Sequence, residues 1–342
     1  MIRLECDYAT GTHPKILQRL AAWNLEENPG YGLDPHCDRA RALLRELCQA
    51  PDADVHFLVG GTQTNTTVIA AALRPWQGVL CAQTGHINVH ESGAIESTGH
   101  KVLPIPSSDG KLTAGQIEEA CRSYQEDPTA EHTVQPAMVY LSHPTELGTV
   151  YTKAELESIH TVTRRWGLTL FLDGARLVYG LAASDLTLPD LARLCDVFYL
   201  GGTKAGTLFG EAVVITLDAL KPGFRSLIKQ RGGMLAKGWL LGVQFEMLLE
   251  DGLYKEIGRQ AVEQAKLLSN AFQAKGCPLL VPTQSNLLFP ILPDRVLPTL
   301  GEKYSWSFWS KPDPDHTAVR FCTSWSTRDE DLQALIQDLE AL

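Results

Sequence analysis

Residues 168–210 read LTLFLDGARLVYGLAASDLTLPDLARLCDVFYLGGTKAGTLFG and decide the predicted fold. They contain two apolar, β-rich runs, at 168–172 and 197–200. The first run is followed at once by Asp173-Gly174-Ala175-Arg176, and the second ends in Gly201-Gly202-Thr203-Lys204. A short apolar run that passes directly into glycine and polar residues is typical of a buried parallel strand that reaches the edge of its sheet.

Strands and helices alternate over the first two thirds of the chain. Helical spacing is found between the apolar runs, for example at 64–73 and 152–166. Seven strands with intervening helices predict an α/β fold with a mostly parallel sheet that helices cover on both faces. The predicted strands are 55–60, 78–83, 101–106, 137–142, 168–172, 197–200 and 212–217.

The pattern changes in the last quarter of the chain. Short strands at 287–292 and 318–324 are followed by an amphipathic helix predicted over 328–342. This change predicts a large α/β domain over residues 1–249 and a smaller α+β domain over 250–342. The aromatic tract 306–309 is expected to form an exposed loop.

The composition excludes several classes of function. The chain has 342 residues, of which 44% are hydrophobic, and 30 basic against 40 acidic residues give a net charge of −10. This charge argues against binding to nucleic acid or to an anionic membrane. The eight scattered cysteines lack a C-x-x-C pair and are expected to be reduced thiols. Without an apolar signal segment or a run of about 18 apolar residues, the expected location is the cytoplasm.

The polar residues after the two organising strands are expected to share one pocket. Ligands of open α/β sheets lie beyond the carboxyl ends of the strands, which brings Asp173, Arg176 and Lys204 together. An Asp and a Lys at two strand ends suit pyridoxal phosphate, because the amine can form an imine with its aldehyde and the carboxylate can hold its pyridine nitrogen protonated. A lysine of another kind of enzyme, or a salt bridge, is the alternative interpretation.

The sequence GGTQTN, residues 60–65, follows a strand and opens a helix. Its glycines and the free N–H groups of the first helical turn can bind an oxyanion, although ordinary helix capping explains the same pattern. The sequence lacks the G-x-G-x-x-G motif and the G-x-x-x-x-G-K-[ST] motif, which argues against a nicotinamide dehydrogenase or a P-loop enzyme.

His86 follows the next strand and is a candidate to stack on a planar ring and to move a proton. His86, His90 and Glu91 together are an alternative metal site, but no further histidine or cysteine cluster completes it, so we predict no metal. A purely structural histidine is the third interpretation.

Read together, these motifs resemble the threonine aldolase/β-eliminating lyase family of pyridoxal-phosphate enzymes of fold type I, the aspartate aminotransferase fold. The resemblance covers nearly the whole chain. It depends on His13-Pro14, Tyr31-Gly32-x-Asp34, Gly61-Thr62-Gln63-x-Asn65, His86-x4-Glu91-x-Gly93, Asp173-Gly174-Ala175-Arg176 and Thr203-Lys204.

The resemblance implies roles for the residues that contact the cofactor. Lys204 is implied to bind pyridoxal 5′-phosphate covalently, Asp173 to pair with the pyridine nitrogen, and His86 to stack on the ring. The N-terminal segment is implied to pack near the small domain. The implied phosphate-binding residues are Gly61, Thr62, Gln63 and, from a basic segment near the neighbouring subunit's cofactor, Arg231.

The resemblance also implies how an amino acid substrate is held. Arg176 and Arg320 are implied to bind the substrate carboxylate through paired N–H···O bonds. Cys6 stands where the family has a serine near this carboxylate, and Tyr31 is expected to line the substrate pocket. At least a homodimer, and as an alternative a homotetramer, is implied.

Glu146 is a departure from the family pattern. Well-known threonine aldolases place a histidine near the β-hydroxyl group of the substrate, and the corresponding residue here is Glu146. A desolvated carboxylate can accept the same proton, and His143 is an alternative acceptor.

The predicted function is that of a lyase that cleaves threonine-like β-hydroxy-α-amino acids to glycine and an aldehyde, with Lys204, His86 and Glu146 as catalytic residues. The alternatives keep the cofactor but change the reaction to β-elimination, transamination or racemisation. A non-catalytic protein that binds a cofactor is the remaining alternative.

Overall fold

The computed structural model describes residues 1–341 and contains a central sheet of seven strands. The strand order is β2-β8-β7-β6-β5-β3-β4, in which β8 is antiparallel to both neighbours and the other pairs are parallel. The predicted α/β fold with a mostly parallel seven-stranded sheet is therefore confirmed. After a short β1 (Ile2–Arg3), these strands are β2 (Asp54–Leu58), β3 (Gln77–Ala82), β4 (Lys101–Ile105), β5 (Gln135–Ser142), β6 (Thr169–Asp173), β7 (Val197–Gly201) and β8 (Glu211–Ile215).

Helices cover both faces of this sheet, and their ends follow local capping rules. The helix at 153–166 begins with a capping box between Thr152 and Glu155 and ends at Gly167, which has a φ of 65°. All five residues of β7 are buried, as a strand covered on both faces requires. The helices are α1 (Pro14–Ala22), α2 (Pro35–Leu47), α3 (Gly61–Ala72), α4 (His86–Val89), α5 (Ala114–Glu126), α6 (Lys153–Trp166), α7 (Leu177–Ala183), α8 (Leu188–Leu194), α9 (Phe224–Gln230), α10 (Trp239–Leu249), α11 (Leu253–Ala274), α12 (Leu297–Gly301) and α13 (Asp329–Ala341).

One edge of the sheet collects the polar residues. Strands β5 and β6 end side by side, with Ser142 opposite Asp173 in register. At the other end of the same edge, Glu211 begins β8 and pairs with Gly201 of β7 and Leu58 of β2. Because β8 runs antiparallel to its neighbours, its first residue lies where the other strands finish.

A second, smaller sheet lies in the C-terminal part of the chain. The short β1 pairs in parallel with β11 (Tyr304–Ser305), and Leu4 packs in the same apolar cluster as Phe321. Helix α11 contributes to this cluster with its second half and to the main core with its first half. The β1–β11 pair is separate from the smaller sheet, whose four strands are β9 (Leu287–Leu288), β10 (Ile291–Pro293), β12 (Ser307–Asp313) and β13 (His316–Cys322).

The expectation of an exposed loop at 306–309 is wrong. Residues 307–313 form β12, which pairs with β13 as a hairpin. Trp309 packs edge-on against Phe289, with 4.8 Å between the ring centroids, whereas Phe308 is exposed. Pro312 lies in this strand, which is at the edge of its sheet, where a proline is tolerated.

The closing helix is observed from Asp329 to Ala341, and Leu342 lies outside the described residues. Within residues 1–341, no helix has the length and apolar character needed to cross a bilayer.

Candidate active site

A cavity of about 360 Å³ opens at the edge of the sheet where β2, β5, β6 and β7 end. Its lining mixes the glycines before α3 with acids, tyrosines and one lysine. The residues that the sequence analysis named and that line it are Gly61, Thr62, His86, Glu146, Asp173, Arg176 and Lys204.

Asp173 lies on the floor of this cavity, is 5% exposed and accepts four hydrogen bonds. Its Oδ1 accepts from the Tyr199 hydroxyl at 2.5 Å and from the backbone N–H of Ala175 at 2.9 Å. Its Oδ2 accepts from the Tyr140 hydroxyl at 2.5 Å and from Asn65 Nδ2 at 3.1 Å. A carboxylate with this many donors is held in one orientation.

His86 is oriented by a buried acid. Its Nδ1 lies 2.7 Å from Glu91 Oε1, and the same oxygen accepts a hydrogen bond from Asn65 Nδ2 at 2.7 Å. Asn65 thus joins the carboxylates of Glu91 and Asp173. This chain of contacts fixes the imidazole at the wall of the cavity, above the floor that Asp173 forms.

Lys204 follows β7 in a short 3-10 turn, and its backbone carbonyl accepts a hydrogen bond from the Tyr179 hydroxyl at 2.7 Å. Desolvation lowers the pKa of its amine, and the positive charge of Arg176 lowers it further. The nearby carboxylates of Asp7, Asp173 and Glu211 oppose this shift. An amine with a lowered pKa is a better nucleophile at neutral pH.

The N-terminus of α3 faces the cavity without a side-chain cap. Its N-cap residue is Gly60, and a Cβ placed on Gly60 would meet nothing within 4 Å. The N–H groups of the first turn are therefore free to bind an anion. The side chain of Gln63 is directed elsewhere, because its Oε1 accepts from the Val59 N–H at 3.1 Å and its Nε2 donates to the Arg231 carbonyl at 3.1 Å.

Glu146 has one occupied and one free oxygen. Its Oε1 accepts from the His86 backbone N–H at 2.8 Å and from Ser142 Oγ at 2.6 Å, whereas its buried Oε2 has no partner within residues 1–341. Desolvation raises the pKa of this carboxyl, and the negative charge of Asp173 adds to the shift. The arrangement leaves an acceptor atom available for a ligand.

His143 lies on the opposite side of the same loop. It is fully buried, its Nδ1 accepts from the Tyr151 N–H at 3.3 Å, and its ring lies against Gly180. Desolvation lowers its pKa to about 4, so the ring is neutral. His143 is part of the core and does not line the cavity.

Arg176 reaches the cavity, but one edge of its guanidinium is already bound. Its Nε donates to Asp7 Oδ2 at 2.7 Å and its Nη2 donates to Asp7 Oδ1 at 3.0 Å. Asn286, which precedes β9, donates to the same carboxylate at 3.0 Å. This buried cluster links the N-terminal segment to both sheets at the mouth of the cavity.

Arg320 and Cys6 do not line this cavity. Arg320 lines a second cavity of about 470 Å³ together with His90 and Trp309. Its Nη2 donates to the Glu5 carbonyl at 3.2 Å, and its buried Nε has no partner in the described chain. Cys6 is half-buried in the N-terminal segment beside Asp7.

Tyr31 and Arg231 lie outside the cavity of their own chain. Tyr31 lines a separate cavity of about 30 Å³, and Lys229 Nζ lies 4.7 Å from the centre of its ring. The basic segment that contains Arg231 begins as helix α9. Arg231 caps this helix, and its Nε is buried without a partner in residues 1–341.

Sequence reasoning missed three residues of the site. Tyr140 and Tyr199 alternate with apolar residues along β5 and β7, so they look like core residues, and Glu211 begins a strand that was expected to start one residue later. Only the register of the sheet places them beside Asp173 and Lys204. Within residues 1–341, no group of three histidine, cysteine or acidic side chains has the arrangement of a metal site.

The cavity fits pyridoxal phosphate in three respects. The uncapped N-terminus of α3 suits a phosphate, the fully bonded Asp173 suits a protonated pyridine nitrogen, and the Lys204 amine suits an aldehyde. The free space above Gly60 allows the phosphate to approach the backbone. These groups lie on different elements but face one cavity.

The fold has many solved relatives of low sequence identity. One of them is an aspartate aminotransferase of Thermus thermophilus, with a TM-score of 0.70 and 16% sequence identity. The match covers 100% of this chain and 92% of that one. The fold and the cavity together define a pyridoxal-phosphate-dependent enzyme of fold type I. Residues 4–293 match the family model described as beta-eliminating lyase, and the chain belongs to that family.

Within this family the chain is similar to threonine aldolases. It is 30% identical to a low specificity L-threonine aldolase of a Pseudomonas species, over 98% of this chain and 96% of that protein. It is 47% identical to a threonine aldolase of Leishmania major, with a TM-score of 0.97 over 100% of this chain and 99% of that one. The predicted family, enzyme class and cofactor are confirmed.

Proposed function

We propose that this protein cleaves β-hydroxy-α-amino acids such as threonine to glycine and an aldehyde. The observation that carries the proposal is the free Oε2 of Glu146 in a cavity that also holds Lys204 and Asp173. The similarity to threonine aldolases over almost the whole chain supports the same reaction.

In this proposal the floor and walls of the cavity hold the cofactor. Lys204 Nζ would bind it covalently, Asp173 would pair with the pyridine nitrogen, and His86 would lie against the ring. The first turn of α3, with Gly61 and Thr62, binds the phosphate. When bound, pyridoxal phosphate supplies an electron sink for the negative charge that develops at the Cα atom of the substrate.

Arg176 binds the substrate carboxylate with its Nη1 atom, because Asp7 occupies the Nε–Nη2 edge. Arg320 supplies a second guanidinium from the neighbouring cavity, where its Nε has no partner in the described chain. Cys6, on the segment that carries Asp7, lies at the end of the site that we assign to the carboxylate. We therefore expect the α-carboxylate to bind near Arg176 and the segment that carries Asp7.

Glu146 then accepts the proton of the β-hydroxyl group at its Oε2 atom. Its Oε1 is held by the His86 N–H and by Ser142, so the free oxygen has a fixed direction. Burial raises the pKa of Glu146, which makes its carboxylate a stronger base than an exposed one. Loss of this proton allows the Cα–Cβ bond to break and the aldehyde to leave.

The assignment of Lys204 is tested by the Lys204→Ala variant. We expect it to lose both threonine cleavage and the visible absorbance of the bound cofactor. The matched control is Lys153→Ala, which removes an amine from the surface of α6 where it pairs with Asp190. Normal turnover by Lys204→Ala would refute the assignment.

The reaction itself is tested by a panel of amino acids, with glycine, ammonia and keto acid measured separately. We expect glycine to be released from threonine and phenylserine. Release of ammonia and a keto acid, without glycine, would show that the reaction is β-elimination instead. The departure from the family pattern at Glu146 would then account for the different reaction.

We also propose the larger organisation of the molecule. A large domain covers 1–249 and a small domain 250–342, with the N-terminal segment packed on the small one. The exposed Tyr31 and the basic residues around Arg231 face the cavity of a neighbouring subunit in a homodimer or a homotetramer, and light scattering would measure this state. All eight cysteines are free thiols, which supports a reducing compartment such as the cytoplasm.

A further inference from the structure

Glu211 lines the cavity, but the proposed reaction gives it no task. It is 4% exposed and lies at the start of β8, opposite Gly201 in the sheet. Lys204 follows Gly201 by three positions in the sequence, and both the acid and the amine line the same cavity. A buried carboxyl group in such a place requires a compensating partner.

The hydrogen bonds around Glu211 have a defined direction. The Gly210 N–H donates to Thr203 Oγ1 at 3.1 Å, so the Thr203 hydroxyl keeps its own proton for Glu211 Oε1, which lies 3.0 Å away. The Gly202 N–H donates to the other oxygen, Oε2, at 3.2 Å. Each carboxylate oxygen thus accepts one hydrogen bond, an arrangement that suits the ionised form.

The other acids near Lys204 have partners of their own. Asp7 forms a two-point ion pair with Arg176, and Asp173 accepts four hydrogen bonds and, in the proposed function, faces the pyridine nitrogen. Glu211 has no such partner, and the positive charge that acts on it is that of Lys204. Charge balance in the cavity therefore assigns Glu211 to Lys204.

We propose that Glu211 is a positioning residue for the reaction: it is the counter-charge of the Lys204 nitrogen and accepts the proton that this nitrogen releases. The exchange is balanced, because a protonated nitrogen and a carboxylate become a neutral nitrogen and a carboxylic acid, and no other reactant takes part. The inference rests on the proposed attachment of the cofactor to Lys204.

The other titratable groups that face Glu211 do not compete for this proton near neutral pH. Tyr199 on β7 and Tyr254 on α11 are fully buried, and desolvation raises the pKa of each well above its usual range. Asp173 already accepts four hydrogen bonds and, in the proposed function, faces the pyridine nitrogen. Burial raises the pKa of Glu211 itself, while the charge of Lys204 opposes that shift.

The test is a spectrophotometric pH titration of the enzyme loaded with pyridoxal phosphate, without substrate. The visible absorbance of a lysine-bound cofactor reports the protonation of the Lys204 nitrogen. Removing the negative charge in Glu211→Gln should lower the midpoint by about one pH unit, because a nearby anion favours the protonated nitrogen. Glu211→Asp keeps the charge, so its midpoint should lie close to that of the unchanged protein.

The matched control is Glu246→Gln, which changes a buried acid on α10 that contacts His36 outside the cavity. Its midpoint should equal that of the unchanged protein. An unchanged midpoint in Glu211→Gln, or equal shifts in the Gln and Asp variants, would overturn the role of the charge. The same assay separates a wrong role for Glu211 from a wrong attachment site. If the cofactor is not attached to Lys204, the Lys204→Ala variant will keep the visible absorbance.

Discussion

Two acids of the cavity, Asp173 and Glu146, differ in how completely their oxygens are bonded. Both oxygens of Asp173 accept two hydrogen bonds each, whereas Glu146 has two donors on Oε1 and none from residues 1–341 on its buried Oε2. A carboxylate whose two oxygens are both fully bonded is held in one place. A buried oxygen without a partner costs free energy, and a ligand that bonds to it recovers that cost. The difference supports the proposal that Asp173 holds a permanent cofactor and Glu146 contacts a transient substrate.

The largest effect is expected from Asp173→Asn. The amide keeps the shape but loses the charge that stabilises a protonated pyridine nitrogen, so kcat for threonine should fall by roughly 10³-fold or more. The Tyr140 and Tyr199 hydroxyls also lose a charged acceptor, and the affinity for pyridoxal phosphate should fall. Steady-state kinetics and cofactor titration measure both changes. A normal kcat in Asp173→Asn would show that the charge of Asp173 is not required, and would contradict the role that distinguishes Asp173 from Glu146.

Glu146→Gln should lower kcat by about 10²- to 10⁴-fold, the usual contribution of a general base. Cofactor affinity should stay unchanged, because this variant leaves the contacts of Asp173 and Lys204 intact. In the unchanged protein the acid limb of the pH profile of kcat/KM should lie above the ordinary range of a glutamate, since burial raises the pKa of Glu146. This limb should disappear in the variant.

Ser142→Ala is the control for that experiment. It removes one donor to Oε1 and keeps the base, so its loss of kcat should be much smaller than that of Glu146→Gln. If both variants lose the same activity, Glu146 acts through its hydrogen bonds and not through its free oxygen.

Single tyrosine variants should have a moderate effect. Tyr140→Phe and Tyr199→Phe each remove one donor to Asp173 and leave another donor on the same oxygen. A hydrogen bond to a charged group contributes about 1.5–3 kcal/mol, so cofactor affinity should fall by roughly ten- to a hundredfold. Equilibrium dialysis against pyridoxal phosphate measures the change. Unaltered affinity in both variants would show that the two hydroxyl groups do not support the cofactor.

The smallest effect on activity is expected at His143, which lies in the core three residues before Glu146. Its folded pKa of about 4 lies below its ordinary value of 6.5, so the unfolded chain binds a proton first as the pH falls. Stability should therefore be complete above about pH 6.5 and decrease towards pH 4, by up to about 3 kcal/mol.

Urea unfolding at pH 7.5 and pH 5 measures this change in the free energy of unfolding. His143→Gln should reduce the difference between the two pH values, and the control His132→Gln, at an exposed position, should leave it unchanged. An equal pH dependence in all three proteins would contradict the assignment of His143 to the core.

The sequence predicted the strand ends well, because a buried parallel strand that runs into glycine and a polar residue has a strong local pattern. Asp173 and Lys204 were found in this way, and the structure places both in one cavity. Tyr140 and Tyr199 carried no such signal, since an aromatic residue inside a β-strand usually belongs to the core. Their hydroxyl groups can be assigned to the site only from the register of the sheet, which brings them to Asp173.

Other expectations depend on side-chain direction or on a second chain, which the sequence of one chain does not determine. Gln63 sits in the predicted helix start, but its amide bonds to the backbone of neighbouring segments instead of the cavity. Tyr31 and Arg231 lie outside the cavity of their own chain. Their proposed contact is with the cavity of a neighbouring subunit, which a single chain does not contain. The second guanidinium, Arg320, lies on the smaller sheet and lines a different cavity from Arg176.

The most direct measurement is reductive trapping of the loaded enzyme with borohydride, followed by peptide mapping with mass spectrometry. Reduction fixes the cofactor to the nitrogen that carries it. The structure predicts one modified peptide, which contains Lys204. A label on Lys229, Lys237 or any other lysine, or no label in an enzyme that retains activity, would contradict the pairing of Lys204 and Asp173 on which the site depends.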